Sequence, residues 1–413
     1  MAGKFAMVEL TIGGAALDVT AHLQEFAYEE PGMGASKGQV VLFDYDWDFV
    51  DRLLQKVGSQ QKVQFRFGFR GHMSTVCTLL LVSYQPAFTP QGATITIDLL
   101  DASSVKANMD VQTKAWPSKT YPRISDIVQA IAVRNGWQCV IEPTANHERD
   151  FRQSKTTDVQ FIKQQLLKQA KNPKGASGYF CNMRGTSQNS ATVLHFHTPT
   201  YRLDGKSLDV YRTYSFARDL EGTVLSFTPI DQTLALTAMG GGKTQFESYN
   251  QKKKKRVVVK TDPATDPTTQ LIGPGSIPKS KAELERYISL PLTTEAELKN
   301  YAAFRKTYLN VFRAAASMQI IGDPYIHPMD IIRVNIVMRS GLPHPAFSGR
   351  WLVKSVSHKI TAGSYLTDLE LIRDSVGAAA DNVKAQGKKV VTKDTPSTLV
   401  HEDKIIKPVW SVH

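Results

Sequence analysis

The sequence predicts a mainly β protein of the α+β class, in which two β-rich domains flank an inserted α/β domain. Three observations carry this prediction. Segments of alternating apolar and polar residues, typical of half-buried strands, fill residues 1–112 and return after residue 210. Helical patterns with capping residues begin after residue 113. A hairpin pattern occurs twice, once at the end of each β-rich domain.

The repeated hairpin is the most informative pattern. CTLLLVSYQPAFTPQGATITIDLLDAS at residues 77–103 and GRWLVKSVSHKITAGSYLTDLELIRDS at residues 349–375 align without a gap, so one offset of 272 residues relates them throughout. In each copy an apolar run enters a turn, and a strand of period-two alternation leaves it. The shared pattern suggests an internal duplication. Few residues are identical, so the alternative is that two unrelated hairpins match by chance.

Residues 1–112 predict the first β-rich domain. Several short strands at this spacing are typical of a small barrel or sandwich. Besides the hairpin, strands are expected at Val8–Ile12, Leu23–Glu29, Gly38–Phe43 and Lys62–Phe69, with one short helix at Phe49–Val57.

Residues 113–210 predict the inserted α/β domain. SDIVQAIAVRNGW has the pattern of a helix that is capped by Ser125 or Asp126 and stopped by Gly136. TTDVQFIKQQLLKQAKNP predicts a second helix, which begins at a Thr/Asp cap and stops at Pro173. Strands are expected at Gln138–Ile141, Gly178–Met183 and Thr192–His197.

The second β-rich domain is expected at residues 211–240 and 301–376. The segment between these two parts, residues 241–300, is rich in Gly, Lys, Pro and Thr, which predicts a long excursion that joins the inserted domain. A helix is expected from Thr294 to Ala316. Residues 377–413 have no periodicity and predict a flexible tail.

Composition limits the class of protein. A length of 413 residues allows two to four domains. No apolar run is long enough to cross a bilayer and no signal-like segment follows the start, so folding in a cytoplasm is expected. A net charge of +12 favours an acidic partner, although part of it lies in the run Lys252–Arg256. The three cysteines, Cys77, Cys139 and Cys181, lack CxxC spacing and are interpreted as buried, reduced thiols.

Three stretches, together with the order of the domains over residues 1–376, resemble a known family. TTDVQFIKQQLLKQA is similar to the family's helix entry before a β-hairpin. SFARDLEGTVLSFTP is similar to its strand that returns from the inserted domain, and GRWLVKSVSHKITAGSYLTDLELIR to its final hairpin. The family is that of the contractile-tail baseplate hub proteins of phages, the late control gene D family, which is related to the N-terminal part of the VgrG spikes.

The resemblance implies a non-enzymatic structural protein without cofactors. It implies two tail-tube-like β-barrels in each chain and a homotrimer that forms a pseudo-sixfold ring. Such a hub would link the sixfold tail tube to the threefold spike as a symmetry adaptor. The implied partners are the tail-tube ring, the spike protein and the wedge proteins of the baseplate, with DNA passing through the lumen. The implied location is the virion tail baseplate, after assembly in the host cytoplasm.

Alternative functions remain open at this point. The chain could be the hub of a type VI secretion or tailocin-like system. A hub with peptidoglycan-degrading activity would need an Asp/Glu pair across a cleft, and no segment has room for a separate lysozyme-sized domain. A nucleic-acid-binding protein is disfavoured because the lysines cluster in loops rather than alternating with aromatic residues.

No catalytic, cofactor-binding or metal-ligating residue is predicted. His195 and His197 share one face of a predicted strand, but a third ligand is lacking, so we expect them on a solvent-facing side. His358 is interpreted as a structural histidine. In the tail, four apolar residues are the candidate for docking onto a partner because a solvated tail does not need them. These are Ile405, Ile406, Val409 and Trp410.

Overall fold

The computed structural model contains a large, mainly antiparallel β structure and several helices. It describes residues 5–32, 35–56, 61–101, 110–175, 178–185, 192–198, 211–216, 223–231, 244–250, 254–261, 275–276, 286–289, 294–311, 314–338, 341–344, 347–361, 363–373, 375–376, 399–401 and 404–406. Across these ranges, every helix is too short or too polar to span a bilayer.

The elements in chain order establish the mainly β class that the sequence predicts. The strands are β1 (Ala6–Ile12), β2 (Ala15–Leu17), β3 (Leu23–Glu30), β4 (Lys37–Asp44), β5 (Lys62–Phe69), β6 (His72–Met73), β7 (Cys77–Thr89), β8 (Gly92–Leu100), β9 (Val111–Trp116), β10 (Gln138–Ile141), β11 (Phe151–Thr157), β12 (Phe180–Gly185), β13 (Thr192–His197), β14 (Thr213–Phe216), β15 (Val224–Asp231), β16 (Thr244–Asn250), β17 (Lys255–Thr261), β18 (Gly275–Ser276), β19 (Arg286–Ser289), β20 (Ala314–Ile321), β21 (Ile331–Ile336), β22 (Gly349–Thr361), β23 (Ser364–Arg373), β24 (Ser375–Val376), β25 (Leu399–His401) and β26 (Lys404–Ile406). The helices are α1 (Asp48–Lys56), α2 (Ile124–Asn135), α3 (Asp158–Phe161), which continues as a π-helical turn to Leu166, and α4 (Glu295–Val311).

Both β-rich regions contribute to one continuous 14-stranded sheet. Its order is β15-β20-β23-β22-β3-β4-β8-β7-β5-β1-β2, with β6 beside β5, β21 beside β22 and β14 beside β21. The sequence predicted strands in both regions but did not predict that β22 and β3 would join them.

The structure confirms that the hairpin is repeated. In the first copy β7 ends at Thr89 and β8 begins at Gly92; in the second, β22 ends at Thr361 and β23 begins at Ser364, again 272 residues later. The pairing of each hairpin is also interrupted by a bulge at the equivalent place. It lies between residues 81 and 83 in the first copy and between residues 353 and 355 in the second. Bulges are specific features of a strand pair, so their coincidence indicates duplication rather than chance.

The repeat extends to five strands. The strand order β3-β4-β8-β7-β5 matches the order β15-β20-β23-β22-β21. The β3–β4 pair has a register shift between Leu23 and Glu25, and the β15–β20 pair has one between Val224 and Ser226. We call the first five strands unit 1 and the second five unit 2.

Each unit has its own apolar cluster, but the cluster of unit 1 also includes residues that belong to unit 2. The unit 2 cluster includes Trp351, whose ring lies 4.0 Å from the buried Arg373 guanidinium. Ile360 and Tyr365, at the tip of the unit 2 hairpin, belong instead to the cluster of unit 1. The tip of the unit 2 hairpin is therefore packed into unit 1.

The α/β region surrounds a three-stranded sheet of order β10-β13-β12. Gly136 ends α2 in the left-handed conformation with φ 70°, as the sequence predicts. Arg123, rather than Ser125 or Asp126, is the N-cap residue, and the Asp126 carboxylate accepts the Arg123 N–H at 3.1 Å. Thr157 caps α3 as expected, with its Oγ1 accepting the Gln160 N–H.

Helix α4 connects the segment after residue 244 to this region. Phe304 packs in the α/β cluster, and Leu298 packs with Phe246 of β16. The helix ends at Val311, five residues before the predicted end at Ala316, because Ala314–Ile321 form β20 between β15 and β23. Three consecutive alanines favour a helix locally, but strand pairing on both sides determines the structure here.

Truncation of the equivalent apolar side chain at each hairpin tip should lower stability by very different amounts. Ile360 is 1 % exposed, whereas its counterpart Phe88 is 48 % exposed. We expect Ile360→Ala to lower the free energy of unfolding by about 2–5 kcal/mol, because it leaves a cavity in unit 1. Phe88→Ala should change the stability of the isolated chain by about 0.5 kcal/mol or less. Urea denaturation of both variants measures this difference, and equal losses would contradict the assignment of Ile360 to the unit 1 core.

Candidate assembly surface

Units 1 and 2 meet along an antiparallel seam, which we define as residues 25–30 of β3 and 356–361 of β22. Val356 lies opposite Glu30, and Thr361 lies opposite Glu25. On the exposed side, Lys359 Nζ lies 2.9 Å from Glu25 Oε1. The ladder makes the sheet continuous, so the seam fixes the position of one unit against the other.

A buried polar group lies beneath the seam. His358 is fully buried, and its Nδ1 lies 2.9 Å from Tyr365 Oη and 3.2 Å from Thr367 Oγ1. Its ring stacks on Tyr28 of β3, with ring centroids 6.1 Å apart. Burial lowers the pKa of His358 to about 4, because the imidazolium would lose its hydration there. The histidine is therefore neutral at pH 7 and has the structural role that the sequence indicates.

A second polar contact crosses between the units. Glu30 of β3 and His327, which precedes β21, are both largely buried, with Nδ1 and Oε2 2.9 Å apart. The His327 backbone N–H is donated to Asp330 at 2.8 Å. Burial, followed by the Glu30 charge, raises the pKa of the Tyr28 hydroxyl. A buried pair of this kind adds directional specificity to a junction that apolar contacts alone would leave less defined.

The buried Asp323 carboxylate holds β14 against unit 2. It accepts from the Arg212 guanidinium at 2.7 Å and from the Tyr214 hydroxyl at 2.8 Å, with the Tyr211 hydroxyl at 3.4 Å. Burial and then this carboxylate raise the pKa of both tyrosines. Tyr325 N–H also donates to Asp323. A carboxylate with this many donors is a structural anchor.

The face of the sheet opposite the core carries a shallow polar groove of about 360 Å³. Its carboxylates are engaged: Glu370 lies 2.7 Å from Lys354 Nζ, and Asp368 accepts from Gln319 Nε2 at 2.9 Å. The Lys354 hydrogen bond lowers the pKa of Glu370. A glycoside hydrolase needs one carboxyl group with a raised pKa as the acid, and the lowered pKa of Glu370 does not fit that role. The groove is lined by Glu29, Ser226, Ser317, Met318, Gln319, Ser355, Val356, Ser357, Asp368, Leu369 and Glu370.

Two strand edges of the described sheet are apolar and exposed. Beyond residue 83, β7 pairs with β8 alone, and Tyr84 and Phe88 are 39 % and 48 % exposed. The other edge is β15, which pairs with β20 alone and exposes Leu225 and Ile230. Unpaired edges with apolar side chains are typical of strands that accept a partner.

The docking residues predicted in the tail are only partly described. Ile405 and Ile406 lie in β26, which pairs with β25. Val409 and Trp410 lie outside the described residues, so docking by the tail stays a prediction. In the basic run, Lys252 and Lys253 also lie outside them, and Arg256 of β17 forms an ion pair with Glu247.

The prediction that His195 and His197 face solvent was wrong. Both are buried in β13, the central strand of its sheet, with ring centroids 5.7 Å apart. Alternation indicates which face of a strand a residue occupies, but it does not reveal whether a second layer covers that face. No cluster of three or more metal-ligating side chains occurs within the described part of the chain.

The cysteines differ in their environments. Cys77 and Cys181 are buried, as expected, and burial raises the pKa of Cys181 to about 11. Cys139 is only half-buried, which corrects the interpretation that all three thiols are buried.

His358 predicts a specific loss of stability in acid. The unfolded chain binds a proton at this residue near pH 6.5, whereas the folded chain binds it only near pH 4. Stability is therefore lost as the pH falls from 6.5 towards 4, by on the order of 3 kcal/mol from this residue. His358→Gln removes the titrating group but retains an acceptor for the Tyr365 hydroxyl. We expect the unfolding free energies of the wild type and the variant to converge as the pH falls through this window.

The control for this measurement is His72→Gln, which makes the same substitution at a half-buried histidine of β6, outside the seam. Glu30, His327 and Asp323 are the other titratable groups near His358, and they are unchanged in both variants. A stability difference between wild type and His358→Gln that stays constant from pH 7 to pH 4 would contradict the buried neutral state.

The comparisons with known proteins identify the fold through structure rather than sequence. No protein-family model and no curated protein sequence matches this chain. Among solved structures, the tail protein from Neisseria meningitidis MC58 matches with a TM-score of 0.59 and 10 % identity, over 90 % of this chain and 97 % of that one. The 43 kDa tail protein of prophage MuSo2 from Shewanella oneidensis matches with a TM-score of 0.60 and 9 % identity, over 90 % and 99 %.

A third match comes from a secretion system. The E. coli protein c3393, described as a component of the type VI secretion system with similarity to T4 bacteriophage tail proteins gp27 and gp5, has a TM-score of 0.51 and 10 % identity. The match covers 88 % of this chain and 76 % of that one. At these identities the likeness is one of fold, and the chain has the fold that these two tail proteins and the type VI secretion component share.

Proposed function

We propose that this protein is the central structural hub of a contractile-tail baseplate, of the late control gene D family, and that it links the sixfold tail tube to the threefold spike. The observation that carries the proposal is the repeated five-strand unit, with the same strand order and the same two bulges in both copies. The likeness of fold to two tail proteins, one of them from a prophage, supports it.

The physical argument concerns symmetry. A sixfold ring and a threefold spike cannot both be matched by a partner with one binding unit per chain. Three chains with two related units each offer six nearly equivalent units to the tube and three equivalent chains to the spike. In this proposal each unit is the sheet of a tail-tube-like barrel, and three chains close into a pseudo-sixfold ring.

The remaining partners follow from the position of each region. The inserted α/β domain would contact the wedge proteins of the baseplate, and the lumen of the ring would pass DNA. The protein would act through its interfaces, without catalysis or a cofactor, in the virion tail after assembly in the host cytoplasm. The hub of a type VI secretion or tailocin-like system is the second candidate, because c3393 shares the fold and is described as a type VI component.

The proposal predicts a trimer. Light scattering of the purified chain should give three times its mass of 45.8 kDa, and negative-stain averages should show six lobes around a channel. A chain that remains monomeric both alone and with its spike would contradict the hub. Zymography on peptidoglycan is the matched test of the wall-degrading alternative, and we expect no clearing.

A further inference from the structure

We propose that Tyr84–Thr89 of β7 in one chain pair antiparallel with Ser226–Asp231 of β15 in a second copy, in the register that the seam shows within the chain. The inference rests on the proposed trimer, and it specifies the surfaces that would close it. Unit 1 of one chain would then contact unit 2 of the next. Such a head-to-tail contact forms a ring when its rotation closes.

The register follows from the equivalence of the two units. The offset of 272 residues relates β22 to β7, so Val356–Thr361 of the seam correspond to Tyr84–Thr89. Successive strand pairs show that β3 corresponds to β15. In unit 1, Thr96 pairs with Val41, and Val41 pairs with Glu25. In unit 2, Asp368, the equivalent of Thr96, pairs with Gln319, and Gln319 pairs with Ser226. Glu25–Glu30 therefore correspond to Ser226–Asp231.

The burial of the hairpin tips supports this pairing. Val356, His358 and Ile360 are buried where β22 crosses onto unit 1. Their counterparts Tyr84 and Phe88 point to the same side of the sheet as the unit 1 core, opposite Ile97 and Ala93, yet are exposed. We call residues 356–361 of β22 the arm of unit 2 and the equivalent residues 84–89 of β7 the arm of unit 1. The arm of unit 2 is covered by unit 1, whereas the arm of unit 1 is exposed.

The occupant that fits this arm is unit 2 of a second chain. Ile360 lies opposite Phe26 in the seam, and the same register would set Phe88 opposite the half-buried Phe227. Pro86 and Pro229 would face each other. Proline lacks an N–H and occurs on edge strands, so this pair contributes no ladder hydrogen bond, and the ladder depends on the residues on either side of it. Each chain carries both edges, one on β7 and one on β15. Copies of this chain can therefore cover each other's edges without a different protein.

Disulfide cross-linking tests the register. Ala87 and Thr228, both exposed, would lie directly opposite each other, where Cβ atoms are about 4.5–5.5 Å apart. The double variant Ala87→Cys/Thr228→Cys should form linked dimers and trimers on oxidation, seen on a non-reducing denaturing gel. Ala27→Cys/Lys359→Cys is the matched positive control, because that pair lies directly opposite within the chain.

Two further controls set the specificity. Ser83→Cys/Thr228→Cys shifts one partner four residues along β7, about 13 Å, and should link at least tenfold less. The parent chain with its three native cysteines, oxidised in parallel, gives the background. Equal linking in the shifted pair would overturn the register.

A charge substitution tests the surface independently of cysteine chemistry. Phe88→Lys should retain the melting temperature of the monomer, since Phe88 is exposed, but weaken trimer formation at least tenfold. Val133→Lys, on the exposed face of α2, is the matched control and should leave the trimer intact.

The outcomes separate the inference from the proposed function. A trimer that forms in light scattering without Ala87–Thr228 linking, and that tolerates Phe88→Lys, overturns the pairing and leaves the hub intact. A monomer under all conditions, with no linking between chains, overturns both. A trimer that links in register and is lost with Phe88→Lys supports both.

Discussion

The structure depends on the length of one hairpin. β22 has 13 residues, of which Gly349–Leu352 pair with β21 of its own unit and Val356–Thr361 pair with β3 of the other. The C-terminal half of this strand therefore extends beyond β21 and has no neighbour on that side within its own unit. Backbone groups and apolar side chains on such an arm need a partner, and in unit 2 the partner is unit 1. The continuous sheet, the shared apolar cluster and the fixed relation of the two units all follow from this.

The buried polar groups are a consequence of that junction. His358, Tyr365 and Thr367 are buried where the unit 2 hairpin lies against unit 1, and they form hydrogen bonds with one another within that hairpin. Glu30 and His327 connect the same two units a short distance away. Groups of this kind in a cleft would suggest a catalytic site. Here they lie inside a strand junction, and burial is the main cause of the lowered pKa of His358 and the raised pKa of Tyr365.

The sequence predicted local features better than distant ones. The hairpin offset, the stop at Gly136 and the cap at Thr157 depend on residues close together, and the structure confirms them. The equivalence of β3 and β15 could not be predicted, because their residues differ and only their pairing partners reveal it. The burial of His197 depends on a second layer that alternation does not encode. The end of α4 depends on strand pairing that overrides the helix preference of alanine.

The differences between the two arms are consistent with when each seam would form. A seam within one chain forms during folding, so its two surfaces are never exposed to water after they have folded. Such a seam can bury His358 and the contact between Glu30 and His327. A seam between folded chains must first exist as two exposed edges, where buried polar groups would have to be desolvated on association. Pro86 stands at the position of His358 and Phe88 at that of Ile360, so the exposed strand end of unit 1 has no counterpart of the buried histidine. Divergence of the two copies would thus allow one seam to be permanent while the other closes only on assembly.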